Sequence, residues 1–164
     1  MPVSIKTCKN NCPIGFGDAL RQFKNDEDFL LIVGFWKQNG GNKNFVAVEA
    51  VKVTAQGRKN LFHPLTAMDL TLLDSTIKNR ETNYAEVRKS AKEIKKAFPP
   101  TKMILNPKID SKIQRRLQCS LPFNVFWNDV VKKESYRNIE CSLFDERVPN
   151  PFVSAQRVFK PKLD

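Results

Sequence analysis

The sequence predicts an α/β (α+β) fold in which a mixed β-sheet is flanked by helices. Two observations lead to this class. Short segments that alternate apolar and polar residues, or that are continuously apolar, fill much of residues 1–53 and return near residue 115. Between them lie segments whose apolar residues recur every three or four positions, the spacing of amphipathic helices. No internal repeat is present in the sequence, which excludes a repeat array.

The first predicted strand is Val3–Thr7, in which apolar and polar residues alternate and several are β-branched. Alternation places Ser4 and Lys6 side by side on one face and buries Ile5 on the opposite face. A polar, turn-rich segment, Cys8–Pro13, follows. We therefore expect the chain to open in a strand that presents a lysine.

Two further strands are predicted to form a hairpin. Phe29–Trp36 is continuously apolar, as expected of a central strand that is covered on both faces. Gln38–Asn44 contains the glycine residues that a hairpin turn requires, and Phe45–Val53 returns as the next strand.

Three helices are predicted from spacing and capping residues. Asp18–Lys24 is a short amphipathic helix, and Thr66 has the features of an N-cap that begins a second short helix. A longer helix begins at Thr82 or Asn83 and ends at the two prolines after Phe98. Apart from its apolar stripe, this helix is almost entirely lysine and arginine.

A late basic strand is predicted over Lys112–Leu121, because proline residues bracket the segment. As a strand it turns Leu117 and Cys119 inward, with Arg115 among them. The other row is polar and consists of Lys112, Gln114, Arg116, Gln118 and Ser120.

The length of 164 residues fits a single domain that can bury a core. We expect the core within residues 1–122 and a partly irregular C-terminal extension over residues 123–164. The longest apolar run, Phe29–Trp36, is too short to cross a membrane. The first ten residues lack the apolar stretch of a secretory signal. These features predict a soluble, cytoplasmic protein.

The charge distribution is the first indication of function. The chain has 28 lysine and arginine residues against 17 acidic ones, a formal net charge of +11. Residues 75–116 hold twelve of these basic residues and four of the acidic ones, a net charge of +8. Such clustering favours a polyanion, most often nucleic acid, as the partner. For Arg88–Lys96 alone, a solvent-exposed helix face is an equally good interpretation.

The four cysteines do not predict a metal or catalytic site. No Cys-x-x-Cys pair is present, and His63 is the single histidine. In a cytosolic chain such cysteines are expected to be reduced structural residues. A Cys–His pair that uses His63 has no other feature in its favour. The glycine-rich phosphate loop, the dinucleotide fingerprint and the serine nucleophile elbow are also absent from the sequence.

For the tripeptide Ser4-Ile5-Lys6 alone, an ordinary edge-strand lysine is the better interpretation, and a catalytic lysine is the alternative. A lysine on a sheet strand, beside a metal held by carboxylates, can orient or deprotonate the water that attacks a phosphodiester. Five segments then occur in order: Val3–Thr7, the helix Asp18–Lys24, the strand Phe29–Trp36, and the late basic segments Asn106–Asp110 and Ile113–Ser120.

This order resembles the PD-(D/E)XK nuclease superfamily, specifically type II restriction endonucleases, over about two-thirds of the chain. The resemblance implies a restriction-endonuclease-like sheet, with Lys6 as the catalytic lysine. It also implies hydrolysis of double-stranded DNA with Mg²⁺ as the cofactor.

The chain departs from the family pattern at the metal ligands. The carboxylate position is Ser4, and only Met1 and Pro2 precede the strand that should follow the family's first metal-binding aspartate. One explanation is that the chain is the C-terminal part of a larger nuclease. The other is that the acids have moved, with Asp18 or Glu49 as metal ligands. The simpler interpretations of these two residues are a helix N-terminal acid and a solvated strand residue.

DNA contact has more support than cleavage. The residues predicted to contact DNA, through positive charge or through side-chain amides that suit base edges, are Arg21, Lys24, Lys112, Gln114, Arg115, Arg116 and Gln118. Aromatic residues are not interleaved with these side chains, which argues against a platform for single strands.

The leading prediction is a DNA-binding protein of restriction-endonuclease type that cleaves DNA if its acid set is complete. It would act as a homodimer or with a partner chain that supplies the missing acids. The first alternative is a non-catalytic, nuclease-like DNA-binding remnant or subunit. The second is a basic protein that binds RNA or another protein.

Overall fold

The structure is a computed structural model that describes residues 1–110 and 114–131, together with the backbone of three short strands that follow. A π-helical turn, Phe126–Val131, follows the last helix. The elements in chain order are β1 (Val3–Lys9), β2 (Ile14–Asp18), α1 (Ala19–Lys24), β3 (Phe29–Asn39), β4 (Asn42–Val53), α2 (Ala55–Phe62), α3 (Ala67–Lys78), α4 (Tyr84–Ala97), β5 (Ile104–Ile109), β6 (Arg115–Leu121), α5 (Phe123–Val125), β7 (Ser142–Leu143), β8 (Glu146–Arg147) and β9 (Gln156–Val158). The predicted α+β class is confirmed.

The chain divides into two compact units. The first unit comprises residues 1–14, 28–53 and 123–164, and the second comprises residues 15–27 and 54–122. The strands form a four-stranded sheet in the order β1-β3-β4-β9, a three-stranded sheet in the order β2-β6-β5, and the small β7-β8 pair. The strands of the described residues therefore form two main sheets, where the sequence predicted one mixed sheet.

The first unit is built on β3, which lies between a parallel β1 and an antiparallel β4. Its central position was predicted. One face of β3 carries Leu31, Val33 and Phe35, all fully buried. The Phe35 ring lies 5.4–5.6 Å from the rings of Phe123, Phe126 and Trp127. This aromatic cluster is the core of the first unit, and residues predicted to open a C-terminal extension contribute to it.

The prediction that Ile5 is buried is wrong. Ile5 is 70% exposed, whereas Ser4 and Lys6, on the other face of β1, are half-buried. The register explains the inversion, because Ser4 pairs with Leu31, and Lys6 with Val33, on the buried face of β3. Strand alternation assigns residues to two faces, and the neighbouring strand decides which face is covered.

The other face of β3 is not covered as predicted. Its residues Leu30 and Ile32 are only half-buried. At Gly34 the ring of Phe45 lies against the backbone, so that a Cβ atom placed on Gly34 would come within 2.6 Å of the Phe45 Cε1 atom. Only glycine leaves room for this ring.

The second unit packs α1, α3 and α4 against one face of its sheet. The α3 residues Leu70, Leu73 and Ile77 and the β6 residues Leu117 and Leu121 are all fully buried. These apolar rows hold the helices on the sheet, because their side chains leave water when the layers meet.

Both predicted helix caps of this unit are present. Thr66 and Asp69 form a capping box at the start of α3, in which the Asp69 Oδ2 atom accepts from the Thr66 backbone N–H at 2.8 Å. Asn83 accepts from two backbone N–H groups of α4. α3 runs for twelve residues and is longer than the short helix predicted.

Three elements of the second unit were not predicted as such. β2 contains Gly15 and Gly17, β5 contains Pro107, and α2 contains Gly57. Glycine and proline lower the local preference for strand or helix, so tertiary packing must stabilise these elements.

A buried arginine closes the C-terminal end of α1. Arg58 on α2 is fully buried, and its Nε atom donates to the Gln22 carbonyl at 3.1 Å. Its Nη2 atom donates to the Asn25 carbonyl at 2.6 Å and to the Glu27 carbonyl at 2.9 Å. Carbonyls at a helix end have no partner within the helix, so one side chain completes the turn that leaves α1.

We expect Arg58→Met to destabilise the protein by about 2–4 kcal/mol, because it keeps the apolar stem but leaves these carbonyls without their donor. Urea unfolding measures the change in free energy. The control is Lys59→Met, which removes a solvent-exposed ion pair with Asp26 and should destabilise the protein far less. Equal losses for the two variants would contradict the role given to Arg58.

Candidate nucleic-acid interface

The site is a two-stranded ribbon formed by β5 and β6. The strands are antiparallel and pair Ile104 with Ser120, Asn106 with Gln118, and Lys108 with Arg116. The positions between them, which include Leu105, Ile109, Leu117 and Cys119, are buried. The outward face of the ribbon is therefore fixed by burial and carries Ile104, Asn106, Lys108, Arg116, Gln118 and Ser120.

The chemistry of this outward face is donor-rich and positively charged. Lys108 and Arg116 lie directly opposite each other and are both exposed. The Asn106 Nδ2 atom donates to the Ser120 Oγ atom at 2.8 Å. These six outward positions hold no acidic and no aromatic side chain. Such a face can meet an anionic, hydrogen-bonding surface and offers no ring on which a base could stack.

The third strand of the sheet adds almost no side-chain bulk beside the ribbon. Ile14 and Phe16 of β2 are buried, which leaves Gly15 and Gly17 at the intervening positions. A Cβ atom on Gly15 would meet nothing within 4 Å. At Gly17, where φ is +86°, the nearest group is the guanidinium of Arg21. The sheet is thus three strands wide, but its projecting side chains come mainly from two.

The connection between β5 and β6 is held by backbone contacts at its base. The Asp110 N–H donates to the Gln114 carbonyl at 3.0 Å, and the Gln114 N–H donates to the Asp110 Oδ1 atom at 2.9 Å. The Gln114 side chain in turn accepts from the Arg116 Nη2 atom at 3.1 Å. Lys112, predicted to contact DNA, lies outside the described residues.

Most of the residues predicted to contact DNA belong to this unit. Arg116, Gln118 and Gln114 lie on or beside the outward face, and Arg21 lies at Gly17. Lys24 is exposed at the end of α1. The predicted DNA contacts omitted Asn106 and Lys108, although the resemblance had already grouped Asn106–Asp110 with the late basic strand.

Arg115 has a different setting. It points to the opposite side of the ribbon and donates to the backbone carbonyls of Asn79 and Thr82. These carbonyls belong to the connection between α3 and α4, so Arg115 ties that connection to the sheet.

The predicted catalytic lysine lies in the first unit. Lys6 is on β1, the edge strand of its sheet, and pairs with Val33, which in turn pairs with Glu49. Lys6 and Glu49 therefore lie in one row on the same face, two strands apart. Asp18 belongs to the second unit, where its Oδ1 atom accepts from the Arg21 backbone N–H at 2.7 Å as the N-cap of α1.

Among the described residues, no group of three or more histidine, cysteine, aspartate or glutamate side chains could hold a metal ion. Mg²⁺ is bound through oxygen ligands, and the row of Lys6 offers the single carboxylate of Glu49.

The ion pair of Lys78 in the second unit was not predicted. The Lys78 Nζ atom lies 2.7 Å from the Oδ2 atom of Asp74, which is buried in α3. The hydrogen bond to Asp74 raises the pKa of Lys78, and the carboxylates of Asp74 and Asp18 add to the effect. The spacing of four residues on one helix indicates a structural ion pair.

No helix in the described part of the chain is long and apolar enough to span a membrane. Comparison with protein-family models, with curated proteins and with solved structures finds no match to this chain.

We expect the thiols of Cys8 and Cys119 to react slowly with maleimide at pH 8. Burial raises the pKa of Cys119 to about 12 and that of Cys8 to about 11, so less than about 1% of either is the reactive thiolate. Labelling should accelerate as the pH rises towards these values, with Cys8 ahead of the more buried Cys119. Peptide mass mapping measures both rates, and labelling in urea should make them equal. Faster labelling of Cys119 than of Cys8 in the native protein would contradict the burial.

Proposed function

We propose that this protein binds double-stranded DNA by placing the β5–β6 ribbon in the major groove. The observation that carries the proposal is the outward face of the ribbon, where the exposed pair Lys108 and Arg116 adjoins the half-buried amide pair Asn106 and Gln118. The net charge of +8 over residues 75–116 supports the same partner, because a polyanion gains from every cation near its phosphates.

The width of the ribbon fits this groove. The major groove of B-DNA is about 12 Å wide and admits a two-stranded β-ribbon. Adjacent strands lie about 4.8 Å apart, and the glycines of β2 leave the third strand without bulky projecting side chains. A full third row of side chains would obstruct entry, so Gly15 and Gly17 keep the sheet narrow on the DNA side.

The side chains suit base edges. Arginine and lysine donate to the O6 and N7 atoms of guanine, and asparagine and glutamine pair with the N6 and N7 atoms of adenine. Arg116 and Lys108 form the guanine-reading pair, and Gln118 and Asn106 the adenine-reading pair, one step along the ribbon. Arg21, whose guanidinium is the group nearest to Gly17, is proposed to contact the DNA backbone.

The same features favour DNA over RNA. The major groove of an RNA duplex is too deep and narrow for side chains to read, and single strands are held chiefly by stacking on aromatic rings. The outward positions of β5 and β6 carry no aromatic residue.

Arg116→Ala and Gln118→Ala should each weaken binding to a preferred DNA duplex about 5- to 150-fold, because each removes a base contact worth about 1–3 kcal/mol. A selection from random duplexes identifies the preferred sequence, and fluorescence anisotropy measures the Kd. The matched control is Arg80→Ala, which removes one exposed positive charge elsewhere in the same unit. Equal losses for Arg80→Ala and Arg116→Ala, or equal affinity for the same duplex made of RNA, would refute major-groove insertion.

A second candidate function is phosphodiester hydrolysis of the restriction-endonuclease type. The specific observation in its favour is the shared row and face of Lys6 and Glu49. One carboxylate does not make a Mg²⁺ site, so this function requires further acids from a second copy or from a partner chain. Without them the protein is a non-catalytic, nuclease-like DNA-binding subunit. We also propose that the protein is located in the cytoplasm.

Plasmid cleavage in Mg²⁺ and in EDTA tests this candidate. If the proposal holds, Mg²⁺-dependent nicking is lost in Lys6→Ala and in Glu49→Gln, while duplex affinity stays within about twofold because neither residue belongs to the ribbon. Lys9→Ala, an exposed lysine on the same strand, is the control and should retain activity. A fully active Lys6→Ala protein would exclude the site. If the plasmid stays intact but the protein binds duplex DNA in a salt-sensitive manner, the protein is the non-catalytic DNA-binding subunit.

A further inference from the structure

A groove of about 390 Å³ runs between α4 and β5 in the second unit. Its lining combines an apolar floor with a positively charged wall. The residues that line it are Arg88, Ala91, Lys92, Lys95, Pro107 and Ile109. Ala91 and Ile109 are buried and form the floor, whereas the basic side chains are exposed and form the wall.

One of the three cations is held in place. The Nε and Nη2 atoms of Arg88 donate to the Ile109 carbonyl at 3.0 and 2.7 Å. Its guanidinium also lies over the ring of Tyr84, 5.5 Å from the centroid. Arg88 therefore fixes the distance between α4 and β5 and places a positive charge at one end of the groove.

The three cations form one stripe along α4. Residues 88, 92 and 95 are four and three positions apart, so they share a helix face and extend over about 10 Å. The acidic residues of this helix, Glu86 and Glu93, do not line the groove. The groove therefore presents consecutive positive charges with no carboxylate among its lining residues.

The groove is not built to add a peptide strand. β5 is an edge strand, and an edge normally offers backbone N–H and carbonyl groups to a new strand. Here Pro107 has no N–H, and the Ile109 carbonyl is already occupied by Arg88. Charge is then the main feature that the groove offers to a partner.

We propose that this groove holds the phosphodiester backbone of one DNA strand. The inference rests on the proposed function, because the two backbones form the walls of the major groove. A ribbon that enters the groove brings one of these backbones to its free edge, which is β5. Along one strand a phosphate occurs about every 3.4 Å of the axis, so the stripe spans about three phosphates.

The test compares two pairs of lysines on α4 in the full chain. Lys92→Gln/Lys95→Gln removes the groove pair, and Lys89→Gln/Lys96→Gln removes an equal charge on average about 80° around the helix, from residues that do not line the groove. Duplex binding is measured between about 50 and 200 mM salt. The slope of log K against log salt should fall by about 1.8 for the groove pair, since each phosphate contact contributes about 0.9. The control pair should change the slope by less than half of that.

Equal changes in the salt slope for the two lysine pairs would overturn the inference. They would show that only the total charge matters and that no phosphate is held at the groove. The charge-keeping variant Lys92→Arg/Lys95→Arg should retain most of the slope, and circular dichroism verifies that each variant is folded. If Lys92→Gln/Lys95→Gln does not fold, the groove remains testable by Lys92→Gln alone, with an expected fall of about 0.9.

A thymidine tetranucleotide separates this inference from the proposed function, because it has phosphodiesters but no major groove. Suppose that Lys92→Gln/Lys95→Gln binds the tetranucleotide more weakly than the unmodified protein does, while Arg116→Ala binds the duplex normally. This result would support phosphodiester binding in the groove and refute insertion of the ribbon. Suppose instead that Lys92→Gln/Lys95→Gln and Lys89→Gln/Lys96→Gln bind the duplex and the tetranucleotide equally well, while Arg116→Ala weakens duplex binding strongly. This result would refute phosphodiester binding in the groove and leave the proposed insertion of the ribbon standing.

Discussion

Burial of one row of the β5–β6 ribbon is the constraint on which the candidate interface depends. Leu105, Ile109, Leu117, Cys119 and Leu121 are withdrawn from water against the helices of the second unit. Because successive strand residues face opposite ways, this burial forces Lys108, Arg116 and their neighbours outward. A slip of one residue in register would bury two cations and expose the apolar row, at a cost far above the stability of a small domain. The outward face of the ribbon is thus a consequence of how the core packs.

The elements that the sequence predicted well are those whose signals are local. The capping box at Thr66, the Asn83 cap and the continuous apolar strand around Phe35 depend on neighbouring residues, and each was found where expected. The predicted polar row of β6 was also correct from Arg116 onward. Apolar and polar residues alternate strictly in β6, and the prolines on either side of the segment favoured a strand over a helix.

The failures share a physical cause, which is that distant residues decide them. Ile5 is exposed because β1 pairs in a register that turns Lys6 towards the covered face of β3. The strand with two glycines and the strand with Pro107 have poor local propensity and exist because β6 lies between them. The placement of Lys6 and Asp18 in different units could not be read from their order along the chain. Sequence reasoning therefore identified the local elements better than the contacts between residues far apart in the chain.

The contact between Gly34 and the ring of Phe45 limits how these two positions can change during evolution. Since even a methyl group at position 34 would lie 2.6 Å from the ring, the two positions cannot enlarge independently. A lineage that gains a side chain at 34 must lose volume at 45 in the same step or through a destabilised intermediate. The pair should therefore vary together among distant relatives. Complementary side-chain sizes at positions 34 and 45, eleven residues apart across a hairpin, would identify homologues whose overall sequence identity is low.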